Sequence, residues 1–265
     1  MRLYGALLRI SIQDALQNRI ESAIWFLYEI VPPIMMAAVW LAAYQEQESV
    51  AGYSLGEMLA YTVGVMVLRT VVTAYPEYGI DYQIRDGSLS NLLTRPLNLW
   101  AYWFVDTLGW KTFRNLLTVP VVIACLLWLG PQLASIRVPP ERLPVLGVSL
   151  VLAMVLCFIA KLCLACTSFW TNDIVGAAIL YDVISAALGG LLIPIALLPE
   201  WLQTVARLLP IQAIYTVPLT ILLGKDDGAN PWLGVLLQLG WIVVLWGLAR
   251  VLWRAGLRQY ESVGR

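Results

Sequence analysis

Five ionisable side chains stand inside strongly apolar stretches of this sequence: Glu29, Arg69, Asp106, Lys161 and Asp182. Charges in such company are expensive, so they are expected to pair or to face a water-filled cavity. At about 1.5 Å of rise per helical residue, Glu29 lies roughly 10 Å above the inner end of its apolar run and Arg69 roughly 9 Å above the inner end of the next. Opposite charges at matching depth predict an ion pair, Glu29–Arg69, that either fixes helix register or serves a transport path. A separation beyond ~6 Å would break that pairing. Lys161 sits at a similar level, with Asp106 as one candidate partner, and Asp182 lies nearer the middle. The sequence leaves the partners of these three open. A proton or ion relay needs several titratable groups in line, and the outer halves of the runs carry almost none.

Other chemistries are poorly represented. The chain has no histidine, which removes Ser/His/Asp triads, imidazole metal sites and imidazole acid–base catalysis. Its cysteines are Cys125, Cys157, Cys163 and Cys166. All four lie in apolar runs, and Cys163 and Cys166 form a lone CxxC without a second pair. They read as small apolar packing residues. The Gly224–Lys225 pair lacks both the upstream glycine and the following Ser/Thr of a phosphate-binding loop. No metal is expected on this chain.

The elements that must carry these charges are membrane-embedded. Of 265 residues, 60% are hydrophobic and 13% charged, with a mean hydropathy of +0.75. Soluble domains are typically about 45–50% apolar and about 25% charged. Formal net charge is +0, so bulk electrostatics suggest no nucleic-acid partner. The fold class expected is all-α: one polytopic transmembrane domain over residues 1–265 with six transmembrane helices.

Met1 to Ile20 repeats apolar residues at i+4 and reads as a helix lying in the membrane interface or packed on protein. No signal peptide is evident, so the spans themselves are expected to direct insertion. Spans are predicted at Ser22–Ala43, Glu57–Tyr75, Leu99–Leu129, Leu143–Ser168, Ile174–Leu192 and Trp232–Trp253. The third exceeds the ~20 residues a bilayer needs, and its early part, with Lys111 and Arg114, is expected to extend beyond the lipid. Ile193 to Leu223 is too apolar for a solvated loop, yet Pro194, Pro199, Pro210 and Pro218 forbid one continuous helix. Two short helices dipping into the outer leaflet satisfy both facts. A seventh span is the alternative.

Arginines fix the orientation. Arg2, Arg9, Arg19, Arg85, Arg95, Arg250, Arg254, Arg258 and Arg265 collect on one side; only Arg137, Arg142, Arg207 and Lys225 fall on the other. The positive-inside rule then places both termini in the cytoplasm of a plasma or inner membrane. Trp25, Trp100, Trp103, Trp170 and Trp253 fall near inner ends, and Trp40, Trp128, Trp201 and Trp232 near outer ends, as aromatic belts in contact with membrane lipid.

Glu77 to Asn98 is the longest polar interruption between apolar runs. Tyr82, Leu89, Leu92 and Leu93 form an apolar stripe interleaved with Asp81, Arg85, Asp86 and Ser90. A short amphipathic helix on the cytoplasmic surface, broken at Gly87 and stopped by Pro96, fits that pattern.

Three segments carry a family resemblance. The stretch IRDGSLSNLLTRPL, Ile84 to Leu97, resembles the segment between spans two and three of type-2 ABC exporter permeases. LPEWLQ, Leu198 to Gln203, with Leu208, Leu209 and Pro210 after it, is similar to their outer re-entrant helices. AGLRQYESVG, Ala255 to Gly264, resembles their C-terminal sequence, with Gln259 where a second basic residue is common. The resemblance covers essentially the whole chain. It implies a permease subunit that moves substrate outward by alternating access, paired with a second permease subunit as a homodimer or heterodimer. It also implies a separate ATPase subunit that holds the ATP and Mg, so that no cofactor and no catalysis are expected on this chain. The Glu77–Asn98 element would contain the coupling helix, with Tyr82, Ile84, Arg85, Asp86, Gly87, Leu89, Leu92 and Leu93 at the ATPase interface. The first, second and fifth spans would line the path. Ala186, Ala187, Gly189 and Gly190 would permit close helix approach, between subunits or within one. The rival readings are a stand-alone channel or ion-coupled secondary transporter, an intramembrane enzyme, and an immunity or structural protein. Asp86→Arg or Gly87→Pro is expected to uncouple ATP hydrolysis from transport while the chain still inserts; normal transport in both variants would contradict the coupling assignment.

Overall fold

The computed structural model describes residues 2–50, 52–133, 139–171, 173–225 and 230–260, with the side chains of Arg2, Leu3, Arg19, Ser22, Glu29, Phe113, Arg114 and Leu133 outside that description. Apart from one small hairpin, the described elements are helices. They run α1 (Arg2–Gln17), α2 (Arg19–Ala43), α3 (Leu55–Val71), α4 (Pro76–Arg85), α5 (Leu89–Leu93), α6 (Leu99–Trp128) and α7 (Gly130–Leu133). The second half contains α8 (Leu143–Cys166), α9 (Val175–Leu188), α10 (Glu200–Arg207), α11 (Pro210–Leu223) and α12 (Trp232–Leu257). The hairpin pairs β1 (Ser49–Val50) with β2 (Tyr53–Ser54) antiparallel, ahead of a capping box in which Ser54 and Glu57 bond reciprocally at the start of α3.

Four helical runs are each long and apolar enough to cross a membrane: Ala23–Ala43, Leu55–Arg85, Pro140–Phe169 and Trp232–Leu257. Two further pairs reach that length together, Leu99–Thr112 with Asn115–Trp128, bent by 45°, and α10 with α11, bent by 102°. The fold is therefore an all-α polytopic membrane protein.

Contacts define the two ends of the bundle. At one end Lys225 meets Glu57 at 3.0 Å and donates to Gly52 O at 2.7 Å. At the other, Trp253 packs edge-on against Trp103 and Phe169, both at 5.4 Å between ring centroids. Helix α9 begins at the second end, a few residues past Phe169, and α11 finishes at the first, beside Lys225. In between, α11 starts next to the last turn of α9: a Cβ on Gly189 would lie 2.6 Å from Ile211 Cγ2. The chain thus leaves α9, makes an excursion through α10, and returns to the same level before completing the passage. The 102° bend between α10 and α11 suits either a broken span or a re-entrant segment.

Helix α8 is the centre of the core. Ala153, Leu156, Cys157, Leu162, Ala165 and Cys166 are fully buried. Small and apolar residues all round let α3, α4, α11 and α12 approach it closely. Gln238 of α12 ties three helices by donating to Ser149 O at 3.1 Å and Ala213 O at 2.9 Å. All four cysteines are free thiols, three of them buried, as packing residues would be. Trp40 and Trp103 are also buried, so they belong to the core and not to the expected aromatic belts, whereas Trp128, Trp170, Trp201 and Trp232 are exposed.

Helix α1 packs on protein, one of the two settings the sequence allowed. Its Ser11 and Ala15 are buried, whereas its Ile10 and Leu16 are exposed. The buried stripe seats on α6, where Ser11 Oγ donates to Asp106 Oδ1 at 2.6 Å. Only glycine fits at the crossing, because a Cβ on Gly109 would stand 2.3 Å from Ser11 Cβ. Gly109→Leu should therefore unseat α1 and cost about 1–3 kcal/mol. Thermal unfolding in detergent and hydrogen exchange along α1 check this; an unchanged midpoint with protected α1 amides would refute the seat.

Candidate functional site

Pro76 starts the site. A proline supplies no N–H and disfavours helix in the residue before it, so α3 stops at Val71 and α4 restarts with Pro76 in its first turn. The break releases backbone carbonyls inside the protein. Thr73 O is satisfied by the ammonium of the buried Lys111. Lys111, in the part of the third span expected to extend beyond the lipid, reaches from α6 into the break.

The restart also delivers Glu77 into the interior. Lys161, wholly buried on α8, donates to Glu77 Oε1 at 2.6 Å and to Asp182 Oδ1 at 2.7 Å. The rings of Tyr75 and Tyr181 flank the ammonium at 5.1 and 4.7 Å, distances at which a cation gains from a ring quadrupole. Glu77 lies in the first turn of α4, where the helix dipole favours an anion. One cation from α8 thus joins the break between α3 and α4 to α9. Asp106, the candidate partner for Lys161, is bonded by Ser11 instead. Glu77 escapes the sequence reading because Glu77–Asn98 reads as a polar element on the cytoplasmic surface; the adjacent Pro76 and an uncompensated Lys161 in LCFIAKLCLAC are the available signals.

Asp182 opens onto a cavity of about 400 Å³ lined by α2, the α3–α4 break, α9 and α11. This volume lies within the range of small-molecule sites, about 300–1,000 Å³. Its wall combines Trp25, Tyr28, Arg69, Thr73, Asp182 and Tyr215. Trp25 packs on Tyr75 and Tyr78 at centroid distances of 5.0 and 6.2 Å. Arg69 lies 5.5 Å from the centre of the Tyr28 ring. The side chain of Glu29 is outside the described residues, and the predicted Glu29–Arg69 pair lies outside them too.

The four small residues of the fifth span divide. Gly189 and Gly190 pack within the chain: Tyr61 Oη donates to Gly190 O at 2.5 Å and Thr216 Oγ1 to Gly189 O at 3.0 Å. Gly190 has φ +83°, open to glycine at little cost. Ala186 lines the cavity, and Ala187 is exposed.

The Glu77–Asn98 element proves to be two helices in different settings. Helix α4 continues the run Leu55–Arg85 and packs on α8, with Glu77, Ile80, Asp81 and Ile84 buried. Its first half is therefore not a surface element. After α4 the chain turns at Gly87, φ +79°, into α5. Ile84, Gly87 and Leu89 are buried and Leu92 is half-buried, whereas Tyr82, Arg85, Asp86 and Leu93 are exposed. The expected apolar stripe is split accordingly, because Leu89 anchors α5 to the core while Leu93 points away from it. Asp81 holds Arg85 at 2.5 Å. The Ser88 hydroxyl and amide hold the Asp86 carboxyl below the ordinary carboxylate range, so it is ionised at neutral pH and contributes to an exposed surface bearing both charges and the apolar tips of Tyr82 and Leu93.

Lys161→Met should leave two carboxylates facing each other in an apolar core, a loss of about 3–5 kcal/mol. The triple change Lys161→Met, Glu77→Gln, Asp182→Asn should recover much of it. Melting midpoints of the purified chains in detergent check both; a stable single variant would contradict the bridging role.

Comparison with known proteins fits this architecture. Residues 30–264 match the family model described as ABC-2 family transporter protein. No curated protein and no solved structure matches the chain. With nearly its whole length matched, this multi-pass chain belongs to the ABC-2 transporter family and is a membrane permease component of an ABC transporter.

Proposed function

We propose that this permease exports its substrate, and that a separate ATPase subunit drives it by docking on the exposed surface around the α4–α5 turn. The observation that carries this reading is the continuity of that surface with the cavity wall. Tyr82, Arg85 and Asp86 sit at the end of α4, and the same helix begins with Glu77, held by Lys161 together with Asp182. A push on the turn reaches the cavity through one rigid helix and one buried ion cluster, with no flexible segment between them.

Alternating access is the mechanism that this linkage supports. ATP binding closes the ATPase pair, and α4 and α5 move with it. The α3–α4 break is where the chain accommodates that movement, since it has no intact helical ladder to resist bending. The cavity then opens toward the opposite side. A two-state element of this kind responds to ATP only as far as the ATPase contacts differ between states. In this reading ATP and Mg²⁺ bind the ATPase partner, a second permease subunit completes the pathway, the termini and the α4–α5 turn face the cytoplasm, and the assembly resides in the plasma or inner membrane. The aromatic and charged lining suits an amphipathic substrate. The arginine distribution favours this orientation, and the near absence of titratable groups beyond the cavity disfavours an ion-coupled carrier.

Paired substitution of the exposed apolar tips, Tyr82→Glu with Leu93→Glu, tests the docking surface. Both side chains point away from the core, with exposures of 66% and 41%, so the fold should persist. Recovery of the ATPase subunit with the tagged permease from membranes should fall at least ~10-fold, the factor that 1.4 kcal/mol of lost affinity gives. Undiminished recovery with unaltered ATP hydrolysis would overturn the reading.

A further inference from the structure

Helix α5 has five residues, and the side chain of its N-cap residue, Ser88, makes no capping hydrogen bond. So short a helix is marginal without tertiary support. The support comes from the far end of the chain. Tyr260, beyond α12, places its hydroxyl against the start of α5: Oη accepts from Ser90 N at 3.2 Å and donates to Gly87 O at 3.0 Å. Ser90 N also reaches Gly87 O at 3.2 Å, and Ser90 Oγ donates to the same carbonyl at 2.7 Å. The phenol therefore stands where a capping side chain would, bonding both the turn carbonyl and one of the first helical amides, groups that a helix N-terminus otherwise leaves to solvent.

The Tyr260 ring is fixed in turn. It meets Phe169, which follows α8, edge-on at 6.1 Å, and Phe169 packs against Trp253 of α12 at 5.4 Å. Phe169 is seated on α12 because position 256 is glycine; a Cβ there would come within 2.0 Å of the ring. The geometry points to Tyr260 as a positioning residue that caps α5 and fastens it to the ends of α8 and α12, so that α5 cannot shift without moving those two helices. This rests on the reading of α5 as part of the ATPase contact. It adds a second route from that contact: Lys161 links α4 to the cavity side, and Tyr260 links α5, through Phe169, to the turn that follows α8 and to α12.

Tyr260→Phe keeps the ring and removes only the hydroxyl. In the detergent-purified full chain, amides of residues 86–93 should exchange about fivefold faster, the factor that one net hydrogen bond supplies, with an unchanged melting midpoint. In the complex with its ATPase, ATP with vanadate should alter exchange in both 86–93 and 250–258 of the parent chain, but only in 86–93 of the variant. Unchanged exchange at 86–93 in the variant would refute the cap, and a preserved response at 250–258 would refute the fastening. A parent complex in which nucleotide alters neither segment would overturn the ATPase contact and the relay with it. The exchange difference in the isolated chain would then still report the cap on its own.

Discussion

Burial of the Lys161 ammonium is the constraint on which the rest of the arrangement depends. An unpaired cation at that depth would not be tolerated, and desolvation is offset only when geometry and hydrogen bonding are both good. Two carboxylates and two aromatic rings meet that requirement here. Supplying Glu77 demands that α4 enter the core at its first turn, which demands that α3 end at Val71. Supplying Asp182 demands that α9 pass alongside. The position of the α3–α4 break, the path of α4 against α8 and the depth of the cavity all follow from where that ammonium sits.

The break creates a second requirement, met by another lysine. Thr73 O would otherwise be stranded in a region where water is scarce, and such a carbonyl is costly unless bonded. Lys111 covers it from α6, while α1 is held to α6 by the close approach at Gly109 and the Ser11–Asp106 bond. Polar residues that look anomalous one at a time therefore act as ties between neighbouring helices. Each stands opposite an acceptor that another helix exposes.

Much of the architecture was legible in the sequence. Hydropathy located the first, second, fourth and sixth spans as single helical runs and the third as a bent pair, whereas the expected fifth span, Ile174–Leu192, holds only the 14-residue α9, short of a full crossing by itself. The prolines of Ile193–Leu223 marked a segment that could not cross as one helix. The order and character of the segments around Ile84–Leu97, Leu198–Gln203 and Ala255–Gly264 pointed to the family that residues 30–264 match. Gly87 was recognised as a break, and it adopts the positive φ that such a turn needs. What failed was the assumption that a polar stretch between spans lies wholly outside. Glu77 and Asp81 are polar because they pair, with Lys161 and Arg85, and not because they face water. Side-chain polarity alone does not separate those two reasons.

The sequence by itself determined that the chain crosses a membrane several times, that its charges would need partners, and that a turn-rich element joins the second and third apolar runs. These are local properties, set by composition, periodicity and proline. Only the tertiary structure decided which charge meets which. It gave Lys161 to Glu77 and Asp182, bound Asp106 to Ser11, used Gly189 and Gly190 for packing inside the chain, and brought Tyr260 to the start of α5. Each of those pairings joins residues far apart in the chain. Helix packing sets their distances, and no window of sequence encodes them.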